Sequence, residues 1–116
     1  MDYKYVKFEV FIPAEYVETL RNRLNQAGAC RLGKYDNCLS FSLVEGYWRP
    51  LEGSNPHKGK VNEVESGKEG KVEFICERSY IRNVVKAIRE IHPYEEPMYY
   101  IIPIVNEEYD ENFDKH

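Results

Sequence analysis

The stretch YVKFEVFIPAEYVETLRNRLNQAG, residues 5–28, contains two different periodicities, one after the other. Its first part alternates apolar and polar side chains, which is typical of a half-buried strand, and the apolar face holds Val6, Phe8, Val10 and Ile12. After Pro13, the segment from Ala14 to Ala27 places Val17, Leu20 and Leu24 on one helical stripe. Gly28 suits the end of this helix, because glycine adopts the left-handed conformation without a steric penalty. The stretch therefore predicts a strand followed by a helix.

The rest of the chain predicts the same kind of unit again. Strands are expected over Leu39–Val44, with a short extension through Tyr47–Arg49, and over Lys71–Cys76. A helix is expected over Tyr80–Ile91 and a last strand over Met98–Val105. The last strand is apolar on both faces, so we expect it to be central in the sheet or covered by another subunit. The order is β-α-β-β-α-β. It predicts an α+β, ferredoxin-like sandwich, with an antiparallel sheet and two helices on one of its faces.

The chain has 116 residues, which predicts one domain, placed over residues 1–105. The connection between the second and third strands, residues 51–70, contains several turn-forming glycines and prolines and is expected to be a long irregular loop. Residues 106–116 form an acidic tail that we expect to be frayed.

Composition excludes several classes of function. Sixteen basic and twenty acidic residues give a formal net charge of −4, which disfavours a general binder of nucleic-acid backbones. No apolar run approaches the length of about 20 residues that a bilayer requires, and the N-terminus lacks the apolar core of a secretory signal. We therefore expect no membrane association and a cytoplasmic location. The three cysteines form no close pairs, which favours reduced thiols.

The densest local motif is HPYEEP, which lies between the second helix and the last strand. Its residues are His92, Pro93, Tyr94, Glu95, Glu96 and Pro97. The two prolines restrict the backbone on either side, so the motif predicts either a stiff structural elbow or a ligand-binding segment. If the segment is extended, Glu95 and Glu96 point to opposite sides and cannot form an acid–base pair. No catalytic residues are predicted.

A metal site is the alternative use of these side chains. If the long loop brings His57 close to His92 and Glu96, three ligands for a divalent ion converge. The only cofactor that the sequence suggests is therefore a divalent metal ion at His57, His92 and Glu96.

Several segments together resemble a known module. They are GKYDNCLSF from Gly33, GYWRP from Gly46, GSNP from Gly53, Glu77-Arg78, and HPYEEP. They are similar to the YqfO-type domain, the PII/CutA-like module inserted in many bacterial members of the NIF-three-like (GTP cyclohydrolase type 2-like) family. The similarity runs from about Tyr5 to Ile104. In that family the dinuclear metal site belongs to flanking segments, so the resemblance implies no hydrolase activity for this module.

The resemblance also implies assembly, because CutA and PII proteins form trimers through their strand edges. We therefore expect a homo-oligomer, preferably a trimer and otherwise a dimer. We favour a non-enzymatic PII/CutA-like module that binds a small ligand, a metal ion or a protein partner. The alternative is a metal-binding or metal-dependent, hydrolase-related protein that uses His92 and Glu96 with His57. Nucleic-acid binding is the weakest of the three hypotheses.

Overall fold

The computed structural model describes residues 2–115. The strands are β1 (Tyr5–Ile12), β2 (Ser40–Trp48), β3 (Glu65–Glu77) and β4 (Met98–Ile104). The helices are α1 (Val17–Gln26), α2 (Ile81–Ile91) and the short α3 (Asn106–Tyr109). Within residues 2–115, no helix combines the length and the apolar character that crossing a membrane requires.

The four strands form one antiparallel sheet in the order β2-β3-β1-β4. Val10 of β1 lies between Val72 of β3 and Tyr99 of β4. The two longer helices cover one face of the sheet, and the predicted α+β class and βαββαβ order are confirmed.

The core lies between this sheet face and the two helices. The alternating residues of β1 that the sequence places on one face are all buried. They pack against apolar residues of β3, α1 and α2, namely Val72, Phe74, Cys76, Val17, Leu20, Leu24, Val84 and Ile88. The opposite face of the sheet is polar at its centre, where Lys7 Nζ contacts Glu9 at 3.2 Å and Glu73 at 2.6 Å.

Helix α1 ends as the sequence predicts. Gly28 has a φ of +104°, and the Gly28 and Ala29 amides donate to the carbonyls of Asn25 and Leu24 at 3.2 and 3.0 Å. These two bonds form a Schellman motif, which satisfies carbonyl groups that the helix end would otherwise leave free.

The hairpin of β2 and β3 is longer than predicted. Strand β2 continues without a break to Trp48, and β3 begins at Glu65 rather than Lys71. The irregular connection therefore covers residues 49–64, and the prediction of a loop over 51–70 is wrong for its last part. The two strands stay paired residue by residue along this whole stretch, as far as the pair of Trp48 with Glu65.

Strand β4 is at an edge of the sheet, because over residues 2–115 it pairs with β1 alone. The predicted alternative of a central strand is therefore wrong. Ile101 and Ile102 remain 39% and 40% exposed, so apolar side chains of this edge face solvent in a single chain.

The acidic tail is ordered against β1 over the described residues. The Asp114 carboxylate accepts hydrogen bonds from the Tyr5 hydroxyl and the Gly33 amide, both at 2.6 Å. The Phe113 ring packs edge-on against Tyr5, with 5.0 Å between the ring centroids. The expectation of a frayed tail is wrong for residues 106–115. Met1 and His116, the ends of the predicted domain and tail, lie outside the described residues.

The three cysteines are free thiols, as predicted. Burial raises the pKa of Cys30 and of Cys76 to about 12, so both thiols are protonated at neutral pH.

Candidate functional site

A cavity of about 500 Å³ opens at the end of the sheet where β1 ends and β4 begins. Its walls come from both central and edge strands, from the loop over residues 49–64, and from the HPYEEP segment. We call it the aromatic pocket and define it by Phe11, Trp48, Glu69, Tyr94, Met98 and Tyr100, with the loop residues Leu51, Ser54, His57 and Lys58.

One wall of the aromatic pocket is the part of the β2–β3 hairpin that lies next to its connecting loop. The last pair between β1 and β3 joins Ile12 and Gly70, so among the described strands β2 alone pairs with β3 residues 65–69. Because side chains alternate along a strand, Glu69 lies on the same face as Lys71 and Glu73, the face opposite the helices. The projecting hairpin thus carries Glu69 beyond the four-stranded part of the sheet.

Two paired glycines make room for this wall. Gly46 of β2 lies opposite Gly67 of β3. A Cβ atom at Gly46 would lie 3.1 Å from Glu69 Oε1, and one at Gly67 would lie 3.5 Å from the Trp48 ring. The Glu69 and Trp48 side chains therefore occupy the space above the two glycines.

His92 fixes the elbow that forms the second wall. Its Nε2–H donates to the Phe11 carbonyl at 2.5 Å, and its Nδ1 accepts from the Tyr94 amide at 3.1 Å. These partners require the neutral ring with its proton on Nε2. Burial lowers the pKa of His92, the bond to Phe11 partly opposes this effect, and nearby His57 lowers the pKa further. His92 therefore ties the end of α2 to β1.

Tyr94 is the central ring of the aromatic pocket. Its ring centroid lies 5.8 Å from Trp48, 5.7 Å from His57 and 5.0 Å from His92. Its hydroxyl interacts with the Glu69 carboxyl. Burial and the charge of Glu69 raise the pKa of Tyr94 to about 12, so the hydroxyl remains a hydrogen-bond donor at neutral pH.

The loop over residues 49–64 is held against both walls. The Trp48 indole N–H donates to the Lys58 carbonyl at 3.1 Å, and the Asn55 amide donates to Glu95 Oε1 at 3.0 Å. The backbone bends at residues 94–96, and both Glu95 and Glu96 line the pocket. The segment is therefore not extended, and the condition under which the two carboxylates were expected to point to opposite sides does not hold.

The structure separates the predicted site residues into two groups. Tyr94, Glu95, Glu96 and His57 line the pocket, whereas His92, Pro93 and Pro97 shape the elbow behind it. Among residues 2–115, no group of three His, Cys, Asp or Glu side chains could hold a metal ion. A metal ion on His92 would have to displace one of its two hydrogen bonds to the backbone. The metal site at His57, His92 and Glu96 stays a prediction.

Sequence reasoning missed three important pocket residues, Phe11, Trp48 and Glu69. Glu69 was missed because Gly67 and Gly70 suggested a loop. The available signal was the alternation of Val72 and Phe74 with charged residues, which extends back through Glu69.

The aromatic pocket has the size and chemistry of a small-molecule site. Such sites are about 300–1,000 Å³, mostly apolar, and contain a few placed polar groups. Here rings and Met98 supply the apolar surface, and Glu69, Ser54 and Glu96 supply polar atoms.

The most informative comparisons are with much longer proteins. The GTP cyclohydrolase 1 type 2 homolog of Halalkalibacterium halodurans is 39% identical over 101 residues, which cover 87% of this chain and 27% of that protein. The relative with the same name in Bacillus subtilis is 38% identical over 98 residues, which cover 84% of this chain and 26% of that protein. No protein-family model matches the chain.

Two solved structures superpose on almost the whole of this chain. The Bacillus cereus protein related to NIF3 superposes with a TM-score of 0.78 and 34% identity, covering 90% of this chain and 26% of that one. The periplasmic divalent cation tolerance protein CutA from Archaeoglobus fulgidus superposes with a TM-score of 0.65 and 18% identity, covering 91% of this chain and 92% of that one. The likeness to CutA shows the fold alone.

The sequence relatives and the solved structures all match this chain with one region of about its own length. The chain spans about a quarter of the length of the curated relatives it matches, and the same region has the fold of a whole CutA chain. The chain is thus a homologue of one segment, which has the fold of CutA, of the proteins named GTP cyclohydrolase 1 type 2 homolog and of the Bacillus cereus protein related to NIF3.

Proposed function

We propose that this chain is a non-enzymatic module that binds a small molecule in the aromatic pocket, within a homo-oligomer. The observation that carries the proposal is the cavity of about 500 Å³, built from four separate parts of the chain around Tyr94. Hydrogen bonds hold each wall, so the pocket does not depend on a ligand to form.

Binding in the pocket is tested by amide chemical-shift mapping with a panel of small aromatic molecules that are cationic, neutral or anionic. We expect at least one panel member to shift the amides of Trp48, Tyr94 and Met98 in a saturable way. Tyr100→Ala should weaken this binding, because Tyr100 lines the pocket. Tyr109→Ala is the matched control, because Tyr109 lies on α3 and is 86% exposed. A panel that leaves these amides unmoved would contradict the proposal.

Support for the homo-oligomer comes from apolar side chains at both edges of the sheet. Phe41 and Leu43 of β2 are 51% and 59% exposed, and Ile102 of β4 is 40% exposed. A second copy would bury this surface. A trimer is the preferred assembly and a dimer the second choice, because different edge contacts close into either symmetry.

A metal site is the second candidate. It is favoured by one observation, that the rings of His57 and His92 both pack against Tyr94. Calorimetric titration of chelator-treated protein with zinc tests it, with His57→Ala and His92→Ala as variants. Zinc binding that both variants retain would place the metal elsewhere.

We carry no cyclohydrolase or other hydrolase activity over to this chain, because the relatives with that name extend far beyond the matched segment. The cytoplasmic location and the binding of a protein partner stay predictions from the sequence.

A further inference from the structure

Glu69 is a buried carboxyl group with which no cation within residues 2–115 forms an ion pair. Its side chain lines the aromatic pocket, and the residue is only 7% exposed. None of the ion pairs formed within residues 2–115 includes Glu69. Its side-chain partner is the Tyr94 hydroxyl, which is uncharged. Burial of a carboxylate without a counter-charge is unfavourable, so a cationic ligand group beside Glu69 would stabilise it.

A second polar group of the pocket wall, unlike Glu69, lacks any hydrogen-bond partner within residues 2–115. The Ser54 Oγ atom is buried and, over residues 2–115, makes no hydrogen bond. Ser54 lines the same cavity as Glu69. Buried hydroxyl groups are normally hydrogen-bonded, so Ser54 Oγ is a polar atom whose hydrogen bond residues 2–115 do not supply.

Two cations, Arg49 and Lys58, line the cavity, and within residues 2–115 neither forms an ion pair with Glu69. Lys58 Nζ donates to the Ser66 carbonyl at 3.2 Å and lies 5.8 Å from the centroid of the Trp48 ring. Lys58 is therefore engaged with β3 and the Trp48 ring, and its charge does not pair with Glu69.

We infer that the aromatic pocket binds an organic amine in its protonated form. The ammonium group pairs with Glu69, and the apolar body packs against Trp48 and Tyr94. This inference rests on the proposed small-molecule function of the same pocket. The surrounding rings favour the same charge, because aromatic faces attract cations. Burial raises the pKa of Glu69 and the hydrogen bond from Tyr94 opposes this effect, so a bound ammonium group would favour the carboxylate form.

The chemistry of the pocket disfavours the other charged ligands. An anion would meet three carboxyl groups, those of the buried Glu69 and of Glu95 and Glu96, against the two cations Arg49 and Lys58 of the lining. A divalent metal ion needs several ligands at close range, and within residues 2–115 no three suitable side chains converge.

The test uses three probes that share an aromatic body and differ in charge, namely 2-phenylethylamine, 2-phenylethanol and 3-phenylpropionate. Trp48 is the only tryptophan in the chain, so its fluorescence reports occupancy of the pocket directly. We expect the amine to bind about tenfold or more tightly than the alcohol, and the carboxylate to bind most weakly, because a charge-assisted hydrogen bond is worth about that much.

Glu69→Gln should remove the preference for the amine and leave the weak affinity for the alcohol. Glu45→Gln is the matched control, because Glu45 lies on β2 beside Gly46 but is exposed and outside the pocket. Equal or tighter binding of the alcohol or the carboxylate by the unaltered chain would overturn the inference while leaving the proposed function intact. Absence of binding by all three probes and by the wider panel would overturn both. Since the probe series on the unaltered chain decides the matter, the result does not depend on whether Glu69→Gln folds.

Discussion

His92 connects the stability of the fold to pH. Both of its ring nitrogens are hydrogen-bonded to the backbone, and burial lowers its pKa. The ring stays neutral in the folded chain at pH values where the unfolded chain, with an ordinary histidine pKa of about 6.5, already takes up a proton. The stabilising contribution of His92 is therefore present above about pH 6.5 and is lost as the pH falls through that value towards the lowered pKa of the folded state.

The measurement is urea denaturation of the unaltered chain and of His92→Gln at about pH 7.5 and about pH 5.5, values that bracket the ordinary histidine pKa. Glutamine offers a donor and an acceptor but does not titrate. We expect the unaltered chain to lose more free energy of unfolding between the two pH values than the variant does. The acidic groups contribute equally to both proteins and cancel in this comparison. Equal losses would show that His92 does not titrate on unfolding in this range.

At the scale of single elements, the junction of α1 and α2 depends on a glycine. Gly28 ends α1 at a φ of +104°, and a Cβ atom there would lie 2.6 Å from the Tyr80 ring. Gly28→Ala therefore combines backbone strain with a steric clash. Gly53→Ala is the matched control, because Gly53 also has a positive φ, +90°, but has no atom within 4 Å of such a Cβ.

We expect Gly28→Ala to lower the free energy of unfolding by about 1–3 kcal/mol more than Gly53→Ala, which is the usual cost of overpacking. Chemical denaturation of the two variants measures this difference. Similar losses of unfolding free energy in both variants would show that the Tyr80 ring moves aside without cost and that only backbone strain lowers the stability.

The elements themselves were largely predictable from the sequence. Strand β1 buries every second residue, and helix α2 buries every third or fourth residue. The start of β3 was not, because the glycines at 67 and 70 are required by contacts distant in sequence. An added Cβ at Gly70 would lie 3.1 Å from Val17 of α1. Such a glycine has the local signature of a turn, although its cause is tertiary packing.

The sequence did contain an indication that β4 is an edge strand, although its apolar residues on both faces favoured a central strand. Pro103 lies within the strand, and proline is confined to edge strands and bulges because it cannot donate a hydrogen bond to a neighbouring strand.

The pocket could be predicted only in part. HPYEEP indicated Tyr94, Glu95 and Glu96, but Glu69 reaches Tyr94 only through the register of the β2–β3 hairpin.

At the scale of the whole molecule, the two edges of the sheet differ. Pro103 interrupts the free edge of β4, whereas β2 is nine residues long, contains no proline, and pairs on one side only. A long, uninterrupted edge strand is prone to pair with another chain. On β2, Phe41 and Leu43 pair with Val72 and Gly70 on the helix-covered face, yet both remain more than half exposed. We therefore expect this edge to form the contact between copies.

Phe41→Lys combined with Leu43→Lys should dissociate the assembly, because burying two ammonium groups in an apolar contact costs several kcal/mol. The fold of the single chain should survive, since both side chains are already exposed to solvent. Sedimentation velocity over a concentration series measures the result, and circular dichroism reports the fold. Ser42→Lys is the matched control, because Ser42 lies on the same strand but on the opposite face, beside Lys71. An unaltered chain that sediments as a single copy at high concentration would refute the homo-oligomer. An assembly that survives the double substitution but not Ser42→Lys would place the contact on the open face of the sheet instead.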